Sequence, residues 1–272
     1  MELSVRGQRT YCYTGGKAFD PAKPTAVFLH GVLNDHSVWA LQSRYLANHG
    51  WNVLAVDLPG HCRSAGDAPS STEEAADFVR DLLDAAGLEK AALVGHSWGS
   101  LIAIEAAARL KERITHLVLV GTAFPMKVSP ALLEASEHDP EKAIHMISVF
   151  SWSTLAPPPS TLGPGTWIWG ASKALNRRVL RSNPKVNVFH RGFVACDRYA
   201  NGLQAIAQAT CPVLFVLGRL DQMTQAKAAQ PLVDAARGAG RQVHVVTVEA
   251  GHHEMTEAPD TVLGALKDFL RP

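Results

Sequence analysis

Residues 91–110 read AALVGHSWGSLIAIEAAARL, and the seven at the centre, VGHSWGS (94–100), decide how the rest is read. AALV is an apolar run of strand length, and SLIAIEAAARL has the length and composition of a helix. Between them stands G-H-S-W-G, Gly95 to Gly99. A strand that turns at once into a helix leaves no room for side chains beside the turn, and glycine at 95 and 99 meets that demand. Such a turn lifts the Ser97 hydroxyl above the sheet and backs it with a helix N-terminus, where negative charge is favoured. Without partners for Ser97, the same residues are a glycine-rich β–α turn with Ser97 as its cap.

Outward from this stretch, short β-branched runs alternate with amphipathic ones, the pattern of a mainly parallel sheet. Buried strands are expected at 25–30, 52–57, 91–95, 116–121, 212–218 and 243–249, with a weaker antiparallel hairpin, ELSVRG and RTYCYT, before them. A helix is expected over 72–86, where Ala75, Phe78, Val79, Leu82 and Leu83 recur at helical spacing. Ser71 and Glu74 make a capping box at its start, and Gly87 a stop at its end. Further helices run from Ser97 to about Leu110 and onward from Pro259, with Val262, Leu266 and Phe269 inward. Between Thr122 and Thr210 the strands cease. That stretch holds PPPS, TLGPGTWIWG and three tryptophans, Trp152, Trp167 and Trp169. Its placement between two strands suggests a helical cap over their C-terminal edge, where open α/β sheets bind ligands.

Composition narrows the function classes. The 272 residues carry a formal charge of +1, with 47% apolar and 19% charged residues. That balance supports a large core and argues against nucleic acid or an anionic membrane as the main partner. No apolar run reaches membrane-spanning length, and the first sixteen residues lack a signal-peptide pattern, so a cytoplasmic home is expected. Cys12, Cys62, Cys196 and Cys211 show no metal or redox spacing and read as structural thiols.

Five blocks together resemble the α/β-hydrolase superfamily. FLHGVLND (28–35) resembles its His-Gly oxyanion loop, DLPGHCRS (57–64) its D-x-P-G-H-G-x-S segment, and LVGHSWGS its nucleophile elbow. GRLDQMT (218–224) resembles its acid loop and GHHEMTEAPD (251–260) its histidine loop. Cys62 stands where glycine is usual. The resemblance implies an α/β-hydrolase fold, a mostly parallel central sheet flanked by helices, with a core at 1–123 and 209–272 and a helical cap at 124–208. It also implies a Ser-Asp-His order along the chain.

Ser97 is then the expected nucleophile, Asp221 the acid just past a strand, and His252 the base past the next. The stretch after the preceding strand, GTAFP, offers no carboxylate, and Glu134, Glu137 and Asp139 fall in the cap. Between the adjacent histidines the family pattern selects His252: Gly-His, four residues, then Glu257-Ala258-Pro259. His253 becomes a neighbour at the rim. The oxyanion donors are expected to be the backbone N–H groups of Val32 and Trp98. His30, His61 and His96 are expected in structural or supporting roles. No H-x-x-x-H or cysteine pair accompanies the two histidines, so no metal is expected, and no cofactor either.

The implied chemistry is hydrolysis of a carboxylic ester through an acyl-enzyme, on a small to medium, largely apolar substrate. Serine at 97 argues against haloalkane dehalogenase and epoxide hydrolase, whose members use aspartate there. The cap tryptophans, with Phe124, Met126, Phe150 and Ile168, suggest an apolar pocket or the cap's own core. Alternatives within the fold are a C–C bond hydrolase of ring-cleavage products, which the arginines 177, 178, 181, 191 and 198 would suit, and an acyltransferase or cofactor-free perhydrolase. A non-catalytic small-molecule receptor is the alternative from another class. The sequence leaves the oligomeric state open.

Overall fold

A computed structural model describes residues 1–153 and 167–270 of the chain. The PPPS stretch and most of TLGPGTWIWG lie outside these residues. Among the described residues, one eight-stranded sheet comprises β1 (Glu2–Val5), β2 (Gln8–Tyr13), β3 (Thr25–Leu29), β4 (Asn52–Val56), β5 (Ala91–His96), β6 (Ile114–Val120), β7 (Val213–Gly218) and β8 (Val243–Val248). Their order in space is β1-β2-β4-β3-β5-β6-β7-β8. The β1–β2 and β2–β4 pairings are antiparallel and every other pairing is parallel.

Strands β3, β4, β5 and β7 are buried along their whole length, as parallel strands covered on both faces must be. The run 243–249 departs from expectation. As β8 it forms the sheet's edge, pairing with β7 alone, and His244, Val245 and Thr247 are exposed. Its apolar composition is that of an inner strand; its position is not.

The helices are α1 (Ala40–Asn48), α2 (Thr72–Ala85), α3 (Trp98–Leu110), α4 (Pro130–His138), α5 (Pro140–Ser151), α6 (Ile168–Ser182), α7 (Val188–Arg198), α8 (Gly202–Gln208), α9 (Gln230–Gly238), α10 (Glu254–Glu257) and α11 (Pro259–Phe269). Helix α2 follows the sequence pattern closely. Phe78, Val79, Leu82 and Leu83 are buried in the main core, each burial contributing roughly 1.5–3 kcal/mol. Its cap is a variant of the expected box. Ser71 Oγ accepts the Glu74 N–H, but the Glu74 carboxylate accepts from Ser70, through both N–H and hydroxyl, rather than from Ser71. In α11, Val262 and Leu266 are buried and Phe269 is half-buried against His116 and His244.

Between β6 and β7 the described residues form α4 to α8. Helices α4–α7 share a small core of their own, in which Leu132, Ile144, Val179 and Phe189 close on Leu33 from the loop after β3. Within the stretch 124–208, α8 differs: it packs beside α3 and α9 and adds Ala205 and Ile206 to the main core. The main core lies on the α3 side of the sheet, and a second cluster, with Trp39, Trp51 and Met255, lies on the other.

Candidate active site

The turn between β5 and α3 carries Ser97 at φ 53° and ψ −122°. A non-glycine residue there is strained by about 1–3 kcal/mol, and the surroundings must hold it. They do so by close approach. A Cβ on Gly95 would stand 2.1 Å from the Gly99 carbonyl oxygen, and one on Gly99 would stand 2.3 Å from the Leu29 carbonyl oxygen. A Cβ on Gly31 would lie 2.9 Å from that of Ser97. The loop after β3 therefore passes directly against the turn. Among the described hydrogen bonds, neither the Val32 N–H nor the Trp98 N–H has a protein acceptor. The Trp98 side chain is buried in the core and donates its indole N–H to Thr72.

Asp221 follows β7 and His252 follows β8, so both project from the same edge of the sheet as Ser97. Asp221 Oδ2 lies 2.9 Å from His252 Nδ1, and both side chains are buried. Asp221 Oδ1 accepts the N–H groups of Met223 and Thr224, while the Thr224 hydroxyl bridges Asp221 Oδ2, at 2.7 Å, and His252 Nδ1, at 3.0 Å. Burial alone would raise the Asp221 carboxyl, but the neighbouring His252 and the Thr224 donors hold it well below the usual range. Among the described residues no hydrogen bond joins Ser97 Oγ to His252 Nε2. Both residues stand in the walls of the same two cavities, and such contacts commonly tighten only around substrate.

The larger cavity, of about 270 Å³, is mainly apolar, with Met126, Val128, Leu132, Phe150 and Phe193 in its walls. None of Trp152, Trp167 and Trp169 lines either cavity: Trp152 stacks on His253, and Trp167 is exposed. Phe124 packs on Tyr199 and Ile168 is buried, and neither lines a cavity at Ser97. The five arginines are also elsewhere. Arg177 pairs with Glu141, Arg178 with Asp35, and Arg191 donates to the Ala68 carbonyl. Together with Arg181, Arg177 and Arg178 border a separate surface groove beside Cys62.

A family model described as the alpha/beta hydrolase fold matches residues 24–142. The chain is an α/β-hydrolase-fold protein. A solved hydrolase from Pseudomonas aeruginosa PA01 superposes with a TM-score of 0.81 at 21% identity, covering 100% of this chain and 98% of that one. Among curated relatives, epoxide hydrolase 3 of Xenopus tropicalis is 31% identical over 39% of this chain and 29% of its own length. The 2-hydroxy-6-oxononadienedioate/2-hydroxy-6-oxononatrienedioate hydrolase of Paraburkholderia phymatum is 35% identical over 47% of this chain and 50% of its own. The chain thus spans half or less of these two curated relatives. Both of these curated relatives are named as hydrolases.

Several residues shape the site through contacts that no motif spells out. Glu257 accepts the Gly251 N–H through one oxygen, at 3.0 Å, and Ser153 through the other, while the His252 N–H donates to the Ser151 carbonyl at 2.7 Å. The histidine loop is thereby tied to the end of α5. Glu254 is fully buried, accepts the Gly218 N–H at 3.2 Å, and lies with one oxygen 3.8 Å from His96 Nε2. Burial, reinforced by Asp221, pushes its carboxyl well above the usual range. His96 Nε2 contacts the His252 carbonyl at 2.7 Å, and burial holds its imidazole neutral, well below the ordinary value.

His253 is half-buried between Trp152 and His96 and borders the smaller cavity, and burial with His252 beside it pushes its imidazole down to about 3. His30 takes the Leu58 N–H on Nε2 and contacts the Gly31 carbonyl through Nδ1, so it orders the loop. All four cysteines are free thiols, and Cys62 holds a left-handed φ of 44° at the position where the resemblance expects glycine.

One cluster among the described residues has metal-ligand geometry: Asp35, His36 and Asp57, with ligand atoms within 4.8 Å of one another. Its donors are already engaged. Asp57 accepts from His36 and from the Arg63 N–H, and Asp35 accepts from Ser37 and Arg178. No described helix is long and apolar enough to cross a membrane.

Proposed function

We propose that the protein is a serine hydrolase that cleaves carboxylic esters with a small to medium apolar part, through an acyl-enzyme on Ser97. The observation that carries this reading is the mainly apolar cavity of about 270 Å³ whose walls include both Ser97 and His252, with Asp221 hydrogen-bonded behind the imidazole. Ser97 Oγ attacks the ester carbonyl and its proton passes to His252 Nε2. The carbonyl oxygen becomes an oxyanion that the Val32 and Trp98 N–H groups stabilise. Collapse expels the alkoxide, which takes the proton from His252. Water then repeats the sequence on the acyl-enzyme, releasing a carboxylic acid and restoring Ser97. Asp221, ionised throughout, fixes the imidazole tautomer and stabilises the imidazolium. Within the stretch 124–208, the part that holds α4–α7 serves as the cap that shapes the substrate site, while α8 belongs with the main core.

A C–C bond hydrolase is the second reading, favoured by the Paraburkholderia relative. Against it, no arginine lines either cavity at Ser97, so an acidic dienoate would find little positive charge there beyond Lys127. The test is fluorophosphonate labelling of wild type and Ser97→Ala, with turnover of p-nitrophenyl esters of increasing chain length beside a ring-cleavage dienoate. Labelling that depends on Ser97, with ester turnover exceeding dienoate turnover, is the expected result. Absence of both labelling and ester turnover overturns the reading and leaves a small-molecule receptor.

A further inference from the structure

Beside the apolar cavity lies a second, smaller one of about 40 Å³, whose walls include Ser97, His252, Asn34, His96 and Asn176. Val32, Phe193 and Met223, like Ser97 and His252, border both cavities. Three side-chain atoms in the walls of the smaller one have no protein hydrogen-bond partner: Asn34 Oδ1, His96 Nδ1 and Asn176 Oδ1. Their residues are 5%, 0% and 3% exposed, so bulk water does not satisfy them.

For His96 and Asn176, what the free atom requires follows from the other bond each side chain makes. His96 Nε2 faces a carbonyl oxygen at 2.7 Å, which can only accept, so the imidazole proton is on Nε2 and Nδ1 is a bare lone pair. Asn176 Nδ2 donates to the Leu33 carbonyl at 3.0 Å, which fixes the amide and leaves its oxygen as an acceptor. The chamber therefore asks for a hydrogen-bond donor. A carboxylate cannot supply one, and no ionised acid lines the walls to hold an ammonium. A cavity of this size takes one to about three water molecules.

We propose that this chamber stations the hydrolytic water, with Asn34, His96 and Asn176 as positioning residues for deacylation. The inference rests on the acyl-enzyme reading above. A water that gives one proton to His252 Nε2 and the other to a chamber acceptor turns a lone pair toward the acyl carbonyl of Ser97. Its oxygen bonds to the carbonyl carbon as its proton goes to His252; the bond to Ser97 Oγ then breaks and that oxygen recovers the proton. The products are the free acid and the serine hydroxyl. The alcohol half of the substrate plays no part in this step, which is why a separate chamber walled in part by unpartnered acceptors is useful beside the acyl site.

Asn34 gives the cleanest test, because its side chain makes no described hydrogen bond to the protein. Wild type, Asn34→Leu and Asn34→Asp are followed with p-nitrophenyl butyrate by rapid-quench intact mass and stopped flow. Asn34→Leu is expected to retain the acylation rate within about threefold and to lose roughly tenfold or more in deacylation. The fraction of protein carrying the butyryl group at steady state rises accordingly, or, where wild type is already fully acylated, kcat falls while the burst rate holds. Asn34→Asp, which keeps an acceptor, recovers part of the loss. Asn176→Ser serves as a second variant if Asn34→Leu does not fold. Equal losses in acylation and deacylation, or no change in either, overturn the inference. A wild-type protein whose Ser97 takes neither fluorophosphonate nor butyryl instead sinks the hydrolase reading beneath it.

Discussion

At the level of single residues, the two adjacent histidines separate cleanly by what each touches. His252 is hydrogen-bonded to Asp221 and borders both cavities, whereas His253 lies between Trp152 and His96 with no hydrogen bond to Asp221. His252→Ala is expected to abolish p-nitrophenyl butyrate turnover, and His253→Ala to keep most of it while losing some thermal stability with the Trp152 stack. Comparable losses of kcat in the two variants would refute the assignment. Asp221→Asn is expected to lower kcat by about 10⁴, because the wrong imidazole tautomer is then favoured, with the melting temperature little changed. That Ser97, Asp221 and His252 lie at one edge of the sheet was legible in the sequence because each comes within four residues of the end of an apolar strand, while the choice of His252 over His253 came from the resemblance. Thr224, Glu254 and Asn176 were not legible. Asn176 matters through contacts with Leu33 and a cavity wall, across a separation of 143 residues that no local pattern encodes.

Among the elements, the tie between the histidine loop and α5 is where the stretch between β6 and β7 and the loop after β8 depend on each other. Glu257 accepts from Gly251 on one side and from Ser153 on the other, and its carboxyl is raised by burial, which those donors partly offset. Glu257→Ala leaves the buried Gly251 N–H unpaired, costing about 1–3 kcal/mol, and frees the part-buried Ser153 N–H as well. The expected outcome is a lower melting temperature and a disproportionate loss of kcat, since His252 itself hangs from the Ser151 carbonyl. A variant with full kcat would show the tie to be dispensable. Helix α2 supplies the contrast of an element that only packs. Leu82→Ala should cost about 2–5 kcal/mol in denaturant unfolding without altering kcat per folded molecule. The pattern of α2 was plain in the sequence because one face meets the core at every helical turn. The edge position of β8 was not, since VHVVTV has the same composition as the inner strands and only the order of pairing distinguishes it.

For the molecule as a whole, buried titratable groups around the site set opposing dependences of stability on pH. His30, His61 and His96 are buried with imidazoles lowered mainly by burial, His61 to about 4. Unfolded, they titrate near 6.5, so the unfolded chain binds more protons below that value. Their contribution is complete above pH 6.5 and is lost as pH falls toward and through the folded values. For His61 alone the loss is on the order of 3 kcal/mol. The melting temperature should therefore fall steeply between pH 6.5 and 4, and less steeply in His61→Asn. Glu254 acts in the other direction. Its folded carboxyl is raised well above 4.5, so the stability it confers is complete below pH 4.5 and is lost as pH rises through the folded value. Glu254→Gln keeps an oxygen for the Gly218 N–H and carries no charge at any pH. The variant should gain on wild type progressively as pH is raised, measured as the difference in melting temperature between pH 5 and pH 8. A difference that stays constant across that range would mean that Glu254 is ionised and paired in the fold, and that the space beneath His252 is more polar than its burial implies.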